Sequence, residues 1–332
     1  MRPEERRTLP EDRRFGPVER VLMLKRIPSF AALSPADLAA LAEHGRERFW
    51  PRGATLLRSG APVDAAHLVF EGRIRLWRRG RAVGVAEPGA SIGATLLLAR
   101  EEAGLEAVAE TDAVTLALER EAYLDALEER FEVLRTVLRE TCRELVDLLV
   151  RNPLEAAPAP TVPPVRPPRP DADRPLELVE RILLLRGTRP FELCGVGALA
   201  ELAQRLEEVR VPAGTTLWRR GDRTERMLIL ADGRVRAEPP GGSPPFQVGP
   251  GQAFGALEVL AEVPRWYDAF VEEPVTALVA DGTQILDLFE DDVAVGIELL
   301  ADLARSSVRV QERIAGRAGR VPALFACEGR CG

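Results

Sequence analysis

Apolar positions along this chain alternate between helical and strand spacing, and they run through the same series twice. Amphipathic helices are expected at Val18–Leu24 and Leu176–Leu185. A second helix follows in each series, Ser34–Glu43 after Phe30 and Val196–Leu206 after Phe191. Ser34 with Asp37 supplies an N-cap and a first-turn acid. Short strands punctuated by glycine come next, at Thr55–Arg58, His67–Glu71, Arg73–Trp77 and Val83–Ala86, with partners in the second series. Ala113–Leu118 and Val275–Val279 close the two sets, and strands of this length and spacing predict an antiparallel roll. Each series then ends in a long amphipathic helical segment. Phe131, Leu134, Val137, Leu138, Leu145, Leu148 and Leu149 mark the first, and Val295, Leu299, Leu300, Leu303, Val308 and Ile314 the second.

The two series are copies of one another. VERVLMLK at Val18–Lys25 matches VERILLLR at Val179–Arg186, an offset of 161. The same offset pairs Pro51–Gly60 with Pro212–Gly221 and Glu71–Arg75 with Asp232–Arg236. It becomes 162 where Pro88–Ala99 meets Pro250–Ala261, and returns to 161 at Val114–Leu118 against Val275–Val279. A repeat of this length is a duplicated domain. Between the copies, Asn152–Pro175 holds nine prolines and no aromatic residue, which predicts an extended, polyproline-like spacer. The expected organisation is a tail (1–17), a first domain (18–150), a linker (151–175), a second domain (176–315) and a second tail (316–332).

Within the second copy, Phe254-Gly255 opens a short apolar helical turn that runs to Pro264-Arg265. This stretch resembles the phosphate-binding cassette of the cyclic-nucleotide-binding domain family, whose usual form is Phe-Gly-Glu, a few apolar residues, then Pro-Arg-x-Ala-Thr. The resemblance covers about residues 18–150 and 176–315, and the Gly-turn-strand pattern recurs in register in both copies. It implies an α+β, mainly β, fold: two antiparallel β-roll or jelly-roll domains, each flanked by N- and C-terminal helices. The layout is similar to that of the regulatory subunit of cyclic-AMP-dependent kinase, which has tandem domains of this kind.

The resemblance also implies a site. A glycine and the backbone N–H groups after it would hold a cyclic phosphate, the next glutamate would accept the ribose 2′-hydroxyl, and an arginine would neutralise the phosphate. In the second copy the implied ligand-binding positions are Phe254, Gly255, Ala256, Leu257, Glu258, Arg265, Tyr267 and Ala269, with cAMP or cGMP as ligand. Ala256 stands where the glutamate is expected, and Glu258 substitutes for it only if the helical turn rotates. Two counts place the arginine differently. Arg265 lies 11 residues beyond Phe254, whereas counting back from Ala269-Phe270-Val271 gives Tyr267. In the first copy, Ile92-Gly93 is followed by Ala94, and the arginine position falls near Ala103, so no cyclic nucleotide is expected there. The same residues also fit a site that holds no ligand. Gly93 and Gly255 are then kept for backbone conformation, Arg265 is a surface cation, and Trp266 and Tyr267 cap an apolar surface or face a partner.

Composition narrows the remaining classes. A net charge of −7 argues against general nucleic-acid binding, and AGRAGRVPALFACEGRCG after the last helix is too short for a DNA-binding helix-turn-helix. Every long apolar run is interrupted by charge, so no membrane span is expected, and the mixed charges of the N-terminus do not form a signal peptide. The expectation is a cytoplasmic protein. His44 and His67 each stand without a second histidine or cysteine nearby, Cys142 and Cys194 lie in or beside apolar runs, and Cys327 and Cys331 form a tail pair. Glu128-Glu129 and Asp291-Asp292 are expected at helix starts or on charged helix faces. No enzyme constellation, metal site or cofactor emerges. Two functions follow: a non-enzymatic regulatory module that binds a nucleotide only in the second domain, or degenerate domains that act as an interaction or scaffold module. The second would engage a protein partner or self-associate through the terminal helices.

Overall fold

The structure is a computed structural model and describes residues 15–27, 30–78, 80–102, 104–152 and 174–318. Most of the proline-rich linker and the Cys327–Cys331 pair therefore lie outside the described residues. The described residues form two compact units, one of those within 15–137 and 301–318, the other of those within 138–300.

The first unit opens with α1 (Pro17–Lys25) and α2 (Pro35–His44). Ser34 caps α2 as expected: its hydroxyl oxygen accepts the Asp37 N–H at 3.2 Å, and the hydroxyl donates to the Asp37 carboxylate at 2.6 Å. Eight strands follow, β1 (Arg46–Trp50), β2 (Thr55–Leu57), β3 (Ala65–Glu71), β4 (Ile74–Arg78), β5 (Arg81–Ala86), β6 (Ser91–Ile92), β7 (Glu106–Ala109) and β8 (Ala113–Glu119). A short helix, α3 (Ala94–Ala99), sits between β6 and β7. The strands make two antiparallel four-stranded sheets, ordered β1-β8-β3-β6 and β2-β7-β4-β5. Leu57, Val69, Ile74, Leu76, Ile92 and Leu105 form the apolar core. β1 has no clear apolar alternation in its sequence, Arg-Glu-Arg-Phe-Trp. Pairing with β8, in register from Arg46–Ala117 to Trp50–Ala113, makes it a strand.

The chain crosses from β3 in one sheet to β4 in the other at Gly72. There φ is +82°, and a Cβ would lie 2.2 Å from the Asp112 carbonyl oxygen, so the crossing accepts glycine alone.

The second unit contains α6 (Leu178–Arg186) and α7 (Val196–Arg205), preceded by part of α5, whose full span is Phe131–Arg151. Its strands are β9 (Glu207–Val211), β10 (Thr216–Trp218), β11 (Arg226–Glu238), β12 (Phe246–Val248), β13 (Ala253–Phe254) and β14 (Asp268–Asp281), and they join in one antiparallel sheet. The separate strands expected from the first copy are fused here. β11 runs unbroken through the equivalents of β3 and β4, and β14 through those of β7 and β8, with register shifts between Leu230 and Val235. Gly233, at φ +86°, is the counterpart of Gly72, and a Cβ on it would lie 2.1 Å from the Pro274 carbonyl oxygen. Between β13 and β14 lies α8 (Ala256–Ala261).

A shorter helix precedes each long terminal one: α4 (Arg120–Glu129) leads into α5, and α9 (Gly282–Asp291) into α10 (Val293–Ala318). Glu128 and Glu129 thus end α4, while Asp291 ends α9 and Asp292 caps it. Glu128, Glu129 and Asp291 are exposed on the charged ends of their helices, as the charged-face alternative expected. Asp292 immediately precedes α10 and its carbonyl accepts the Val295 N–H at 3.1 Å, a helix start as expected.

Candidate functional site

The chain around α8 is bent by its backbone before any side chain acts. Gly255 caps the helix with φ +78°, and Glu262 ends it with φ +53°, so the helix is a single turn between two left-handed residues. α3 of the first copy is built the same way, between Gly93 at φ +85° and Arg100 at φ +60°. The cassette architecture is therefore present twice.

What fills the two cassettes differs. After α8 the chain is tied to the turn that follows β10: the Arg265 N–H donates to the Asp222 carbonyl at 3.0 Å, and the Gly221 N–H to the Arg265 carbonyl at 2.8 Å. The Thr224 hydroxyl adds a bond to the Val263 carbonyl at 2.7 Å. These bonds fix the direction of the Arg265 side chain, and it points inward. Arg265 is 4% exposed, so the surface-cation expectation is corrected. Its Nη1 donates to the Gly255 carbonyl at 2.8 Å and to Glu258 Oε2 at 3.2 Å, and its Nη2 donates to the Arg226 carbonyl. The guanidinium carbon lies over the Trp218 ring, 4.0 Å from its centroid. The absence of a side chain at Gly255 makes room for it, because a Cβ there would sit 2.3 Å from Nη1.

Glu258 faces inward on the same helical turn and is 2% exposed. It receives Arg265 and, at 3.4 Å, the Tyr267 hydroxyl. Burial holds the Glu258 carboxyl above the ordinary carboxylate range, with Arg265 pulling the other way. Burial likewise raises the Tyr267 phenol well above its usual value. Tyr267, Trp218, Phe254, Phe246 and Trp266 pack around the pair, with Trp218 and Phe254 stacked at 4.6 Å and Trp266 edge-on to Tyr267 at 5.1 Å. Trp266 and Tyr267 are 7% and 3% exposed, so neither presents the aromatic surface expected for a docking partner.

The structure thus brings together Phe254, Gly255, Glu258, Arg265 and Tyr267. Ala256 offers no acceptor, Leu257 is half-buried on α8, and Ala269 is buried in β14 opposite Trp218. Both counts for the arginine position lead to the interior, since Arg265 and Tyr267 meet at the same carboxylate. Strand register separates them: Trp218 pairs with Ala269 as Leu57 pairs with Ala107, which equates Tyr267 with the buried Leu105 and Arg265 with position 103, outside the described residues. Sequence reasoning missed Trp218 and the Arg226 carbonyl. The duplication could have exposed the first, because Trp218 occupies the place of Leu57.

In the first copy a Cβ on Gly93 would meet the Ala65 carbonyl oxygen and the Val63 side chain at 3.3 Å and Leu57 at 3.5 Å, where the second copy places a guanidinium. The nearby histidine is also internal. His67 is 1% exposed, and its Nδ1 lies 3.2 Å from the Thr115 hydroxyl, which accepts the Trp50 indole N–H at 2.9 Å. Burial pushes the His67 pKa down to about 4, with Arg48 adding to the effect.

The sequence pattern of the cyclic nucleotide-binding domain matches residues 47–130 and again 208–292, which is just over half of the chain. The chain belongs to the cyclic nucleotide-binding domain family. Each of its two cyclic nucleotide-binding domains contains one cassette, at α3 and at α8. A cyclic nucleotide-gated potassium channel of Rhizobium etli is 30% identical over 106 residues, 31% of this chain and 29% of the channel. A CRP-like cAMP-activated global transcriptional regulator of Mycobacterium tuberculosis is 27% identical over 143 residues, 42% of this chain and 61% of the regulator. The chain therefore matches less than two thirds of either relative's length. Among solved structures, the regulatory domain of Toxoplasma gondii PKA with cAMP shares 16% identity at a TM-score of 0.33, covering 87% of this chain and 96% of that one. Among the described residues, no helix is long and apolar enough to cross a membrane.

Proposed function

We propose that this chain is a non-enzymatic regulatory protein whose two cyclic nucleotide-binding domains serve as interaction modules, not as nucleotide receptors. The observation that carries this reading is the Arg265–Glu258 pair. The cation that would take a phosphate is already neutralised by a buried carboxylate, and Nη1 is engaged by Glu258 and the Gly255 carbonyl. A phosphate arriving at that position would face two oxygen acceptors and leave Glu258 buried without its counter-charge, which costs several kcal/mol. In the first domain the three atoms nearest a Cβ on Gly93 belong to Ala65, Val63 and Leu57, where the second domain has Arg265. The ligand-binding role of the cassette is then replaced by packing, and the long helices α5 and α10 are the segments that engage a protein partner or a second copy.

A second reading, cAMP or cGMP bound by the second domain alone, is favoured by the inward direction of Arg265 and by the relatives named for cyclic nucleotide gating and cAMP activation. Calorimetry of the purified chain against each nucleotide separates the two. The interaction reading expects no heat at millimolar nucleotide. Micromolar binding that disappears in Arg265→Ala establishes the receptor reading instead.

A further inference from the structure

Two donors converge on one buried carboxylate in the second domain. Arg265 Nη1 lies 3.2 Å from Glu258 Oε2 and the Tyr267 hydroxyl 3.4 Å from the same oxygen. The Trp266 indole, edge-on to Tyr267 at 5.1 Å, has a buried N–H with no hydrogen-bond partner. Glu258 is the carboxylate these donors share, and it and Arg265 are each 3% exposed at the side chain. A cation and a phenol on a single acceptor are donors of the kind an oxyanion site uses, and here the acceptor belongs to the chain itself.

We propose that Glu258 is the specificity-determining residue that closes this site, acting as a built-in oxyanion, and that removing its carboxylate opens a site for a small phosphate anion. The inference rests on the reading that the wild-type domain takes no cyclic nucleotide, and it adds the reason and the residue. Glu258 does not hold the cassette in shape. The helical turn is set by Gly255 and Glu262, and α3 of the first domain keeps the same turn with Leu96, two residues after Ala94, facing the interior. Glu258→Ala therefore leaves the turn in place, removes the counter-charge of Arg265 and vacates the volume of the carboxylate and its stem. The aromatic wall of Trp218, Phe254 and Tyr267 limits the new space to a small ligand.

The test uses the full chain, with inorganic phosphate as probe and chloride at matched ionic strength as reference. Melting temperature is read for wild type, Glu258→Ala, and Glu258→Ala with Arg265→Ala. Phosphate should raise the midpoint of Glu258→Ala by about 3 °C at tenfold its dissociation constant. It should leave the wild type and the double variant unchanged. A folded Glu258→Ala that does not respond overturns the proposal, as does an equal response in the wild type. If Glu258→Ala is unfolded in both buffers, Glu258→Gln decides: it keeps the volume and removes the charge, so a phosphate-dependent rise supports the proposal and none overturns it. Nucleotide binding by the wild type in calorimetry is a separate result, and it removes the underlying reading.

Discussion

A guanidinium that is 4% exposed needs a counter-charge whether or not a ligand ever arrives, and Glu258 supplies it here. This gives Arg265 a structural duty that can be measured without any nucleotide. Arg265→Ala should destabilise the chain by about 3–5 kcal/mol, because it strands a buried carboxylate. Denaturant unfolding checks this, and an arginine reserved for a ligand would leave apo stability almost unchanged. His67 makes a second prediction at this scale. Its folded pKa of about 4 lies below the ordinary 6.5 of an exposed histidine, so the unfolded state binds the extra proton between those values. Stability is then full above pH 6.5 and is lost as pH falls towards 4, by about 3 kcal/mol in all. Unfolding midpoints measured from pH 7 to pH 4.5 should show this slope for the wild type and a shallower one for His67→Gln. The histidine's strand and solitary status were legible in the sequence. Its partner Thr115 lies 48 residues away and was not, because only sheet pairing joins them.

At the scale of elements, the sheet crossings depend on two glycines that no Cβ can replace. Gly72 and Gly233 combine positive φ with backbone oxygens at 2.2 and 2.1 Å, whereas Gly60 and Gly214 have positive φ and open space. Alanine at either crossing should cost at least about 2 kcal/mol, from left-handed strain plus a clash that backbone must absorb. Alanine at Gly60 or Gly214 should cost about 1 kcal/mol, and thermal melts of the four variants check the difference. The cassette helix α8 is held at its far end as well: Arg143 Nε donates to the Ala261 carbonyl at 2.8 Å, and Arg139 Nη1 lies 3.6 Å from Glu262. Arg143→Ala should release that end, and amide exchange at 259–263 should quicken while that of β11 stays slow. Periodicity found the opening, second and terminal helices and most long strands. It missed α4 and α9, the strands β1, β6, β7 and β9, and the fusion of β11 and β14, since the strands depend on which partner each segment meets.

At the scale of the whole molecule, sequence copies and compact units are not divided at the same places. Residues 301–315 belong to the second copy in sequence but to the first unit in space, where Ala304, Val308 and Ile314 are buried. Cutting the chain after Leu300 should therefore loosen the first unit, although its own copy stays intact. Hydrogen exchange in β3 and β8 should accelerate more than in β11 and β14, and the opposite order would refute it. The sequence by itself determined the duplication, the family and the glycine-bounded cassettes, because these depend on spacing and on backbone conformations that local residue types dictate. It also placed Arg265 within reach of Gly255. Only the tertiary structure decided that Arg265 turns inward to meet Glu258, and that Trp218 and Tyr267 close around the pair. Those outcomes depend on segments 39 or more residues apart in the case of the Arg226 carbonyl, and on burial that makes one charge require another.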